Sequence, residues 1–328
     1  MKVKGLLESN LNKLIVSQQE IIVVKDKDSI PSIDNPKFVS VDEAKFWLHD
    51  SEPVITLDNK AYPIQIMMWH EVINDGNQLV SYCPLCSSSF IFDNQGMEFG
   101  VSGLLRNSNL IMYDRDTESI WQQFTGNSIG GDLASSRLVF KPASVVSFKD
   151  FYETNPNGIV LSRDTGYERN YGVTPYVKYD DISNTPSLFT GTLDNRLPAM
   201  TRILGVGNRA YTSELLNSKK VIYDKTNNTE YVIFYKLGTN SALDTPLIKD
   251  GRDIGATGVF IPKVNNQNLS FRYQDGYFID SETNSKWTIL GKAIEGKLKG
   301  NQLTPLIHAD VLWFPWAAFY PSTQLITS

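Results

Sequence analysis

The chain has 328 residues, 41% of them hydrophobic and 20% charged, and this composition is typical of a folded globular protein. Its 31 basic and 36 acidic side chains give a formal net charge of −5, so no basic field is available to hold the phosphates of a nucleic acid. The apolar runs are too short for a membrane helix, which excludes a transmembrane segment in this chain.

An N-terminal arm and one helix are predicted for residues 1–49. Ser40 is followed three residues later by Glu43, the spacing of a capping box, and the apolar residues that follow predict a helix that stops near Asp50. No apolar segment with a small-residue cleavage site opens the chain. We therefore expect either a cytoplasmic protein or one whose leader has been removed.

Short runs of β-branched and aromatic residues dominate the rest of the chain and predict a mainly β protein with a few short helices. Gly, Asn and Asp turn pairs separate these runs. The clearest predicted elements are strands at 54–57, 79–82 and 89–92, a short helix from Tyr62-Pro63 to Trp69, and another capped by Ser147 that ends before Asn155-Pro156.

An internal repeat is the main organisational feature of the sequence. Identical residues that are 149 positions apart are Asn59/Asn208, Ala61/Ala210, Tyr62/Tyr211, Val72/Val221, Ile73/Ile222 and Asp75/Asp224. Identical residues that are 166 or 165 positions apart are Asp114/Asp280, Thr117/Thr283, Ser119/Ser285, Trp121/Trp287, Gly126/Gly291, Ile129/Ile294, Gly131/Gly296, Leu133/Leu298 and Leu138/Leu303. We therefore predict a tandem duplication of two similar β subdomains packed together, with copy one at 50–140, a connector at 141–199, and copy two with a C-terminal aromatic segment at 200–328.

The repeat separates structural residues from candidate functional ones. The shared pattern Asp-x-x-Thr-x-Ser-x-Trp predicts a turn followed by a buried tryptophan, because turn chemistry and core packing explain it without a ligand. Residues in one copy only are better functional candidates, since the fold forms without them. His70 aligns with Lys219, and with a two-residue insertion in copy two, Cys83 and Cys86 align with Phe234 and Leu237.

The two cysteines of the chain lie together as Cys83-Pro84-Leu85-Cys86, between two predicted strands. This spacing is typical of a knuckle, a tight turn that directs two thiolates at one metal ion. A thioredoxin-type motif would instead begin a long helix, whereas a strand-like run follows here. Two thiolates do not complete a metal site, and a hairpin through a turn at 74–77 would bring His70 to the same end of the sheet. We therefore predict His70 as the third ligand.

Soft donors favour a copper ion at this site, with Met112 as a further candidate ligand, and zinc is the alternative metal. The predicted function is electron transfer or metal handling, together with a redox or metal-transfer protein partner. Two other interpretations stay open. Cys83 and Cys86 could form the active pair of a thiol–disulfide oxidoreductase without a metal, or a purely structural pair in a surface or binding protein.

Five more residues are candidates for a pocket near the knuckle. Arg106, Asn107 and Asn109 lie in a stretch without a counterpart in copy two, and Arg115 occurs only in the first copy of the repeated turn. Glu71 follows His70 and could accept a hydrogen bond from its imidazole; a solvent-exposed charge at the end of a helix is the simpler alternative.

Nine short motifs of the sequence are residues 30–38, 52–54, 61–63, 69–75, 82–86, 99–103, 113–115, 118–119 and 313–316. Together they resemble one protein family, the bacterial and archaeal domain-of-unknown-function family 3179, from about residue 28 to 325. Members often carry an export leader or membrane anchor, so the resemblance implies an extracytoplasmic location, periplasmic or at the cell surface; it implies no reaction. In the family pattern Gly usually follows the second cysteine and Ala stands in place of Pro315, so Ser87 and Pro315 depart from it.

Overall fold

The structure is a computed structural model that describes residues 8–226 and 228–327. It is mainly β, as predicted, with short helices between the strands. Within those residues, no helix combines the length and the apolar character that crossing a membrane requires.

The first half of the chain contains fourteen described strands and four α-helices. The strands are β1 (Ile21–Val23), β2 (Phe38–Ser40), β3 (Pro53–Leu57), β4 (Lys60–Pro63), β5 (Val72–Asp75), β6 (Gln78–Cys83), β7 (Ser88–Asp93), β8 (Phe99–Arg106), β9 (Asn109–Asp114), β10 (Ile120–Gln122), β11 (Ser128–Gly130), β12 (Val139–Lys141), β13 (Ser144–Ser147) and β14 (Ile159–Leu161). The helices are α1 (Glu8–Leu11), α2 (Val41–Ala44), α3 (Ile64–His70) and α4 (Phe148–Thr154), with 3-10 turns at Gln18–Glu20 and Pro84–Cys86.

The second half follows a similar order of elements. Its strands are β15 (Arg202–Val206), β16 (Arg209–Thr212), β17 (Val221–Thr226), β18 (Thr229–Lys236), β19 (Ala256–Ile261), β20 (Lys263–Val264), β21 (Gln267–Asn268), β22 (Phe271–Gln274), β23 (Tyr277–Asp280), β24 (Lys286–Trp287), β25 (Ala293–Glu295), β26 (Thr304–Pro305), β27 (Ala309–Leu312) and β28 (Gln324–Ile326). Its helices are α5 (Ser213–Lys219) and α6 (Trp313–Phe319), with a 3-10 turn at Ile248–Asp250.

Three sheets of the first half correspond in strand order to three sheets of the second. The first-half orders are β13-β3-β4-β14-β2, β12-β7-β6-β5 and β1-β8-β9-β10-β11. The second-half orders are β27-β15-β16-β28, β26-β19-β18-β17 and β22-β23-β24-β25. Apart from β1 and β2, each first-half strand thus has a second-half strand in the same place. The sheet orders are those that a repeat predicts; the duplication and the domain boundaries themselves remain predictions. Strands β13 and β14 fall in the predicted connector, yet they pair with β3 and β4.

The shared Asp-x-x-Thr-x-Ser-x-Trp pattern builds the same turn twice. The Asp114 carboxylate accepts hydrogen bonds from the Thr117 backbone N–H at 2.7 Å and from the Trp121 indole N–H at 2.9 Å. Asp280 accepts the same indole bond from Trp287 at 2.9 Å. Both tryptophans are fully buried, which confirms the structural interpretation of this motif.

Local capping signals locate the helices, but two predicted boundaries are wrong. Ser40 and Glu43 form the predicted capping box, whereas α2 ends at Ala44 rather than near Asp50. The backbone N–H groups of residues 46 and 47 bond carbonyls three residues back, so the chain tightens into 3-10 geometry there. Pro63 pairs in β4, and α3 therefore begins one residue later than Pro63.

The two halves pack against each other reciprocally. Strand β27 of the second half packs on β7 of the first, and β13 of the first half packs on β19 of the second. One hydrophobic cluster contains residues of both halves, among them Cys83, Cys86, Trp121, Ile203 and Trp313. The cysteine turn therefore lies where the halves meet.

Candidate thiol site

Cys83 ends β6, and Cys86 lies one 3-10 turn later, just before β7. Both thiols are free, and they are 2% and 0% exposed. Ser87 follows in the left-handed region, with φ 50° and ψ 37°. Because Gly adopts this conformation at the least cost, Ser87 occupies a backbone position that suits Gly better.

Hydrogen bonds to the Cys83 sulfur favour its thiolate. Burial alone raises the pKa of the Cys83 thiol, but the Cys86 thiol opposes this effect as a hydrogen-bond donor. Backbone N–H groups of Leu110, Cys86 and Leu85 act in the same direction, and the pKa of Cys83 falls below its ordinary value. While protonated, the thiol donates to the carbonyl oxygen of Ser108 at 3.5 Å. Because the thiolate is the nucleophilic form of cysteine, the lowered pKa favours Cys83 over Cys86 as a nucleophile.

Cys86 has the opposite tendency. Burial, followed by the neighbouring Cys83, raises the pKa of the Cys86 thiol, and the Asn109 side chain offsets this only in part. That amide is fixed in turn, because its nitrogen donates to Gln123 and its oxygen accepts from Gln122, both at 2.7 Å. The pKa values of the two thiols are thus shifted in opposite directions.

A buried carboxyl group, Glu71, lies beside Cys83. Burial and then the charge of Cys83 raise the pKa of Glu71 to about 8, and Lys25 acts against them. The residue is 8% exposed, so the alternative of a solvent-exposed charge is wrong. Its φ is 59°, but Lys220 has φ 63° at the equivalent place in the second half. The strained backbone therefore belongs to the fold, whereas the carboxyl group belongs to this site alone.

Cys83 and Glu71 line one cavity of about 170 Å³. Lys25 and Asp26 contribute charges to its wall, and Lys25 is exposed. Apart from these groups the cavity is largely apolar, with walls that include Val101, Leu104, Leu105, Leu110, Tyr176 and Leu188. Because neither cysteine contacts solvent to any extent, this cavity is the approach to the Cys83 sulfur.

His70 is engaged away from the sulfurs. Its Nδ1 lies 2.7 Å from the Pro31 carbonyl oxygen, and its Nε2 lies 2.7 Å from the Tyr171 hydroxyl. Since a carbonyl only accepts, Nδ1 carries the proton and Nε2 accepts from Tyr171. Burial lowers the pKa of the imidazole, which favours this neutral form. The predicted β5–β6 hairpin does bring residue 70 to the same end of the sheet as Cys83. Nevertheless, residues 8–226 and 228–327 contain no group of three or more His, Cys, Asp or Glu side chains arranged to hold a metal ion.

The remaining predicted site residues are dispersed. Met112 is buried in the same hydrophobic cluster as the cysteines, and Asn109 acts on Cys86. Asn107 lines a different cavity. The two arginines form ion pairs elsewhere, Arg106 with Glu20 at 2.6 Å and Arg115 with Asp34 at 3.0 Å.

Strand register corrects the predicted alignment of the cysteines. The pairs that define it are Val72 with Ser81 in the first half and Val221 with Phe234 in the second. Cys83 is therefore equivalent to Lys236 and not to Phe234, because β17 and β18 each extend two residues further toward their turn. Cys86 has no single counterpart, and the Leu237 alignment fails, because a loop at 237–255 replaces the turn at 84–87. The sulfurs still belong to the first half alone.

A buried ion pair behind the cysteine turn was not predicted. Arg202 of β15 donates to the Ser87 hydroxyl at 3.1 Å and also to the Asp180 carboxylate. Burial raises the pKa of Asp180, but Arg202 and its other partners outweigh burial and lower it. No sequence signal connects these residues, because they come from the connector, the second half and the turn.

The connector also covers the thiol turn from outside. The Tyr179 hydroxyl donates to the Leu85 carbonyl at 3.0 Å, and the Ser108 hydroxyl donates to the Ser187 carbonyl at 2.5 Å. Tyr176 and Leu188 of the same segment line the cavity. A segment predicted only to link two copies therefore forms part of the site.

Fold and site together define a mainly β protein with a buried pair of unequal thiols beside an apolar cavity. The chain belongs to the family described as "Protein of unknown function (DUF3179)", whose profile matches residues 27–323 and thus nearly the whole chain. This match confirms the resemblance noted from the motifs. Searches of curated proteins and of solved structures found no match to the chain.

Proposed function

We propose that this protein is a thiol–disulfide oxidoreductase in which Cys83 and Cys86 cycle between dithiol and disulfide. The observation that carries the proposal is the arrangement of two free thiols in one tight turn, with Cys83 lining a cavity. A purely structural pair needs neither a cavity at one sulfur nor two thiols with opposite pKa shifts.

The two sulfurs have different roles in the proposal. Cys83 attacks a disulfide as a thiolate and forms a mixed disulfide, releasing one substrate thiol. Cys86 then attacks Cys83, its proton leaves with the second substrate thiol, and the Cys83–Cys86 disulfide forms. A second dithiol that reaches Cys83 through the cavity returns the pair to the reduced state, and is itself oxidised to a disulfide. The order follows from the lowered pKa of Cys83 and the raised pKa of Cys86.

Single-cysteine variants test these roles. We expect Cys86→Ser to trap a mixed disulfide with 3,3′-dithiodipropionate on Cys83, and Cys83→Ser to react far more slowly; intact-mass spectrometry measures both. Wild-type protein should lose two hydrogens and bind no adduct. Equal rates in the two variants would contradict the roles, and an inert wild-type pair would favour the structural interpretation.

Copper binding is the second candidate, and two adjacent soft sulfur donors favour it. His70 already has partners on both ring nitrogens, so a site of Cys83 and Cys86 alone fits a low-coordinate cuprous ion better than the predicted three-ligand site. Metal analysis of protein purified without chelator distinguishes the cases. Stoichiometric copper that disappears in Cys83→Ser but persists in His70→Gln supports a two-sulfur site. Loss in both variants supports the three-ligand site, whether the metal is copper or zinc.

We also propose an extracytoplasmic location, as the family resemblance implies. Outside the cytoplasm, disulfides form and persist, so an exchange protein would find oxidised substrates there. Fractionation of cells that produce the native gene product, followed by immunodetection, tests this location.

A further inference from the structure

The cavity beside Cys83 restricts which disulfides can reach the sulfur. Cys83 is 2% exposed, so a folded protein surface cannot approach it directly. The space that does reach it measures about 170 Å³. A dry apolar cavity of about 150 Å³ holds a molecule the size of benzene, so this one accommodates roughly six to eight non-hydrogen atoms.

The chemistry of the walls restricts the substrate further. Val101, Leu104, Leu105 and Leu110 present only hydrocarbon, and a charged group placed against them would lose its hydration. Lys25 adds one positive charge to the wall, but Asp26 and Glu71 line the cavity with it, so the wall has no net positive charge to attract a carboxylate. The Glu71 carboxyl group also lines the cavity, as Cys83 does. It is 8% exposed and has no hydrogen-bond partner among the described residues, so it is left to bind a polar atom within the cavity.

We infer that the cavity binds one half of a compact, uncharged alkyl or aryl disulfide of low molecular weight, with its sulfur between Cys83 and Glu71. This inference rests on the proposed thiol exchange and names its substrate class. In the exchange, the Cys83 thiolate forms a bond to one substrate sulfur, the substrate S–S bond breaks, and the departing sulfur takes the electron pair. That sulfur then accepts a proton and leaves as a thiol.

A chain-length series tests the inference on the wild-type protein. Dimethyl, diethyl, dipropyl and didecyl disulfide are compared by the rate of Cys83 modification, each divided by its rate with N-acetylcysteine under the same conditions. We expect the normalised rate to rise through the propyl compound by about tenfold or more, as apolar burial increases, and to fall for the decyl compound, because one half of it is larger than the cavity. 3,3′-Dithiodipropionate has a carboxylate in place of each terminal methyl of dipropyl disulfide, and its rate should be at least tenfold lower.

A cavity-filling variant supplies the structural control. Leu105→Phe should move the optimum to a shorter chain, whereas Ile307→Phe, on an exposed side chain of the second half, should leave the optimum where it is. Three results would overturn the inference and leave thiol exchange standing. They are a rate that does not depend on chain length, equal rates for dithiodipropionate and dipropyl disulfide, and an optimum chain length that Leu105→Phe does not change. Failure of Cys83 to react with every disulfide, including dithiodipropionate, overturns the proposed function itself.

Discussion

Replacing Glu71 by Gln should make the protein more stable, and the gain should depend on pH. The folded state raises the pKa of Glu71 from its ordinary 4.5 to about 8, so the folded protein holds this proton more tightly than the unfolded chain does. Below pH 4.5 both states are protonated and burial of the carboxyl group costs no ionisation energy. As the pH rises to 8, the unfolded state ionises first and stability falls. At 1.36 kcal/mol per pKa unit, the loss is on the order of 5 kcal/mol.

The groups that face Glu71 do not reverse this expectation. Burial is the largest cause of the raised pKa, the Cys83 charge adds to it, and the Lys25 charge opposes it. Tyr176 faces the same cavity, and burial together with Glu71 raises the pKa of its hydroxyl, so it stays neutral over this range. The pH-dependent stability gain of Glu71→Gln should therefore persist in a Cys83→Ser background, but it should be smaller because the Cys83 charge is absent.

Urea unfolding at pH 5 and pH 8, in the presence of a phosphine reductant, measures the effect. The free energy of unfolding of Glu71→Gln should exceed that of the wild type by several kcal/mol more at pH 8 than at pH 5. Glu168→Gln removes an exposed carboxyl group and is the matched control. A gain of the same size at both pH values would refute the argument, because a neutral substitution that merely repacks the cavity has no reason to depend on pH.

Three further substitutions test the fold around the site by urea unfolding. Asp114→Ala leaves a buried indole N–H and a backbone N–H without their acceptor and should cost about 2–4 kcal/mol; a loss below about 0.5 kcal/mol would contradict its role. Gly131→Ala should cost more than Gly166→Ala, because both have positive φ but only the Cβ at 131 would meet another group, 2.5 Å from the Ser119 hydroxyl; equal costs would show that the contact relaxes freely. Arg202→Met removes one ion-pair partner of the buried Asp180 carboxylate and should lower the free energy of unfolding by about 3 kcal/mol. An unchanged urea midpoint would contradict this expectation and would mean that Arg252, which also contacts Asp180, is a sufficient partner.

Local chemistry explains which parts of this structure the sequence predicts. The capping box of Ser40 and Glu43 involves residues three apart, and the cysteine turn involves four consecutive residues, so both follow from short-range rules. The β5–β6 hairpin is also local, and its register places residue 70 level with Cys83. The internal repeat allowed the candidate site residues to be predicted, because residues shared by both copies indicated structural roles and residues found in one copy only indicated functional ones.

The directions of side chains and the contributions of distant segments could not be predicted in the same way. His70 turns to Pro31 and Tyr171, which are 39 and 101 residues away, and no local rule brings those groups to its ring. The carboxyl group beside Cys83 belongs instead to the next residue, Glu71, which the sequence suggested only as an acceptor for the imidazole. Similarly, Tyr179 bonds Leu85 across 94 residues.

Because the two halves pack against each other, both contribute residues to the surroundings of the cysteine turn. The first half holds both sulfurs, while the second half lacks any, yet β27 covers β7 and Arg202 of β15 binds Ser87 next to the second cysteine. Under the proposed thiol exchange, a substitution in the sulfur-free half would change the surroundings of the cysteine turn without replacing a thiol. Tests of the proposal should therefore include substitutions in β15 and β27 as well as in the cysteine turn itself.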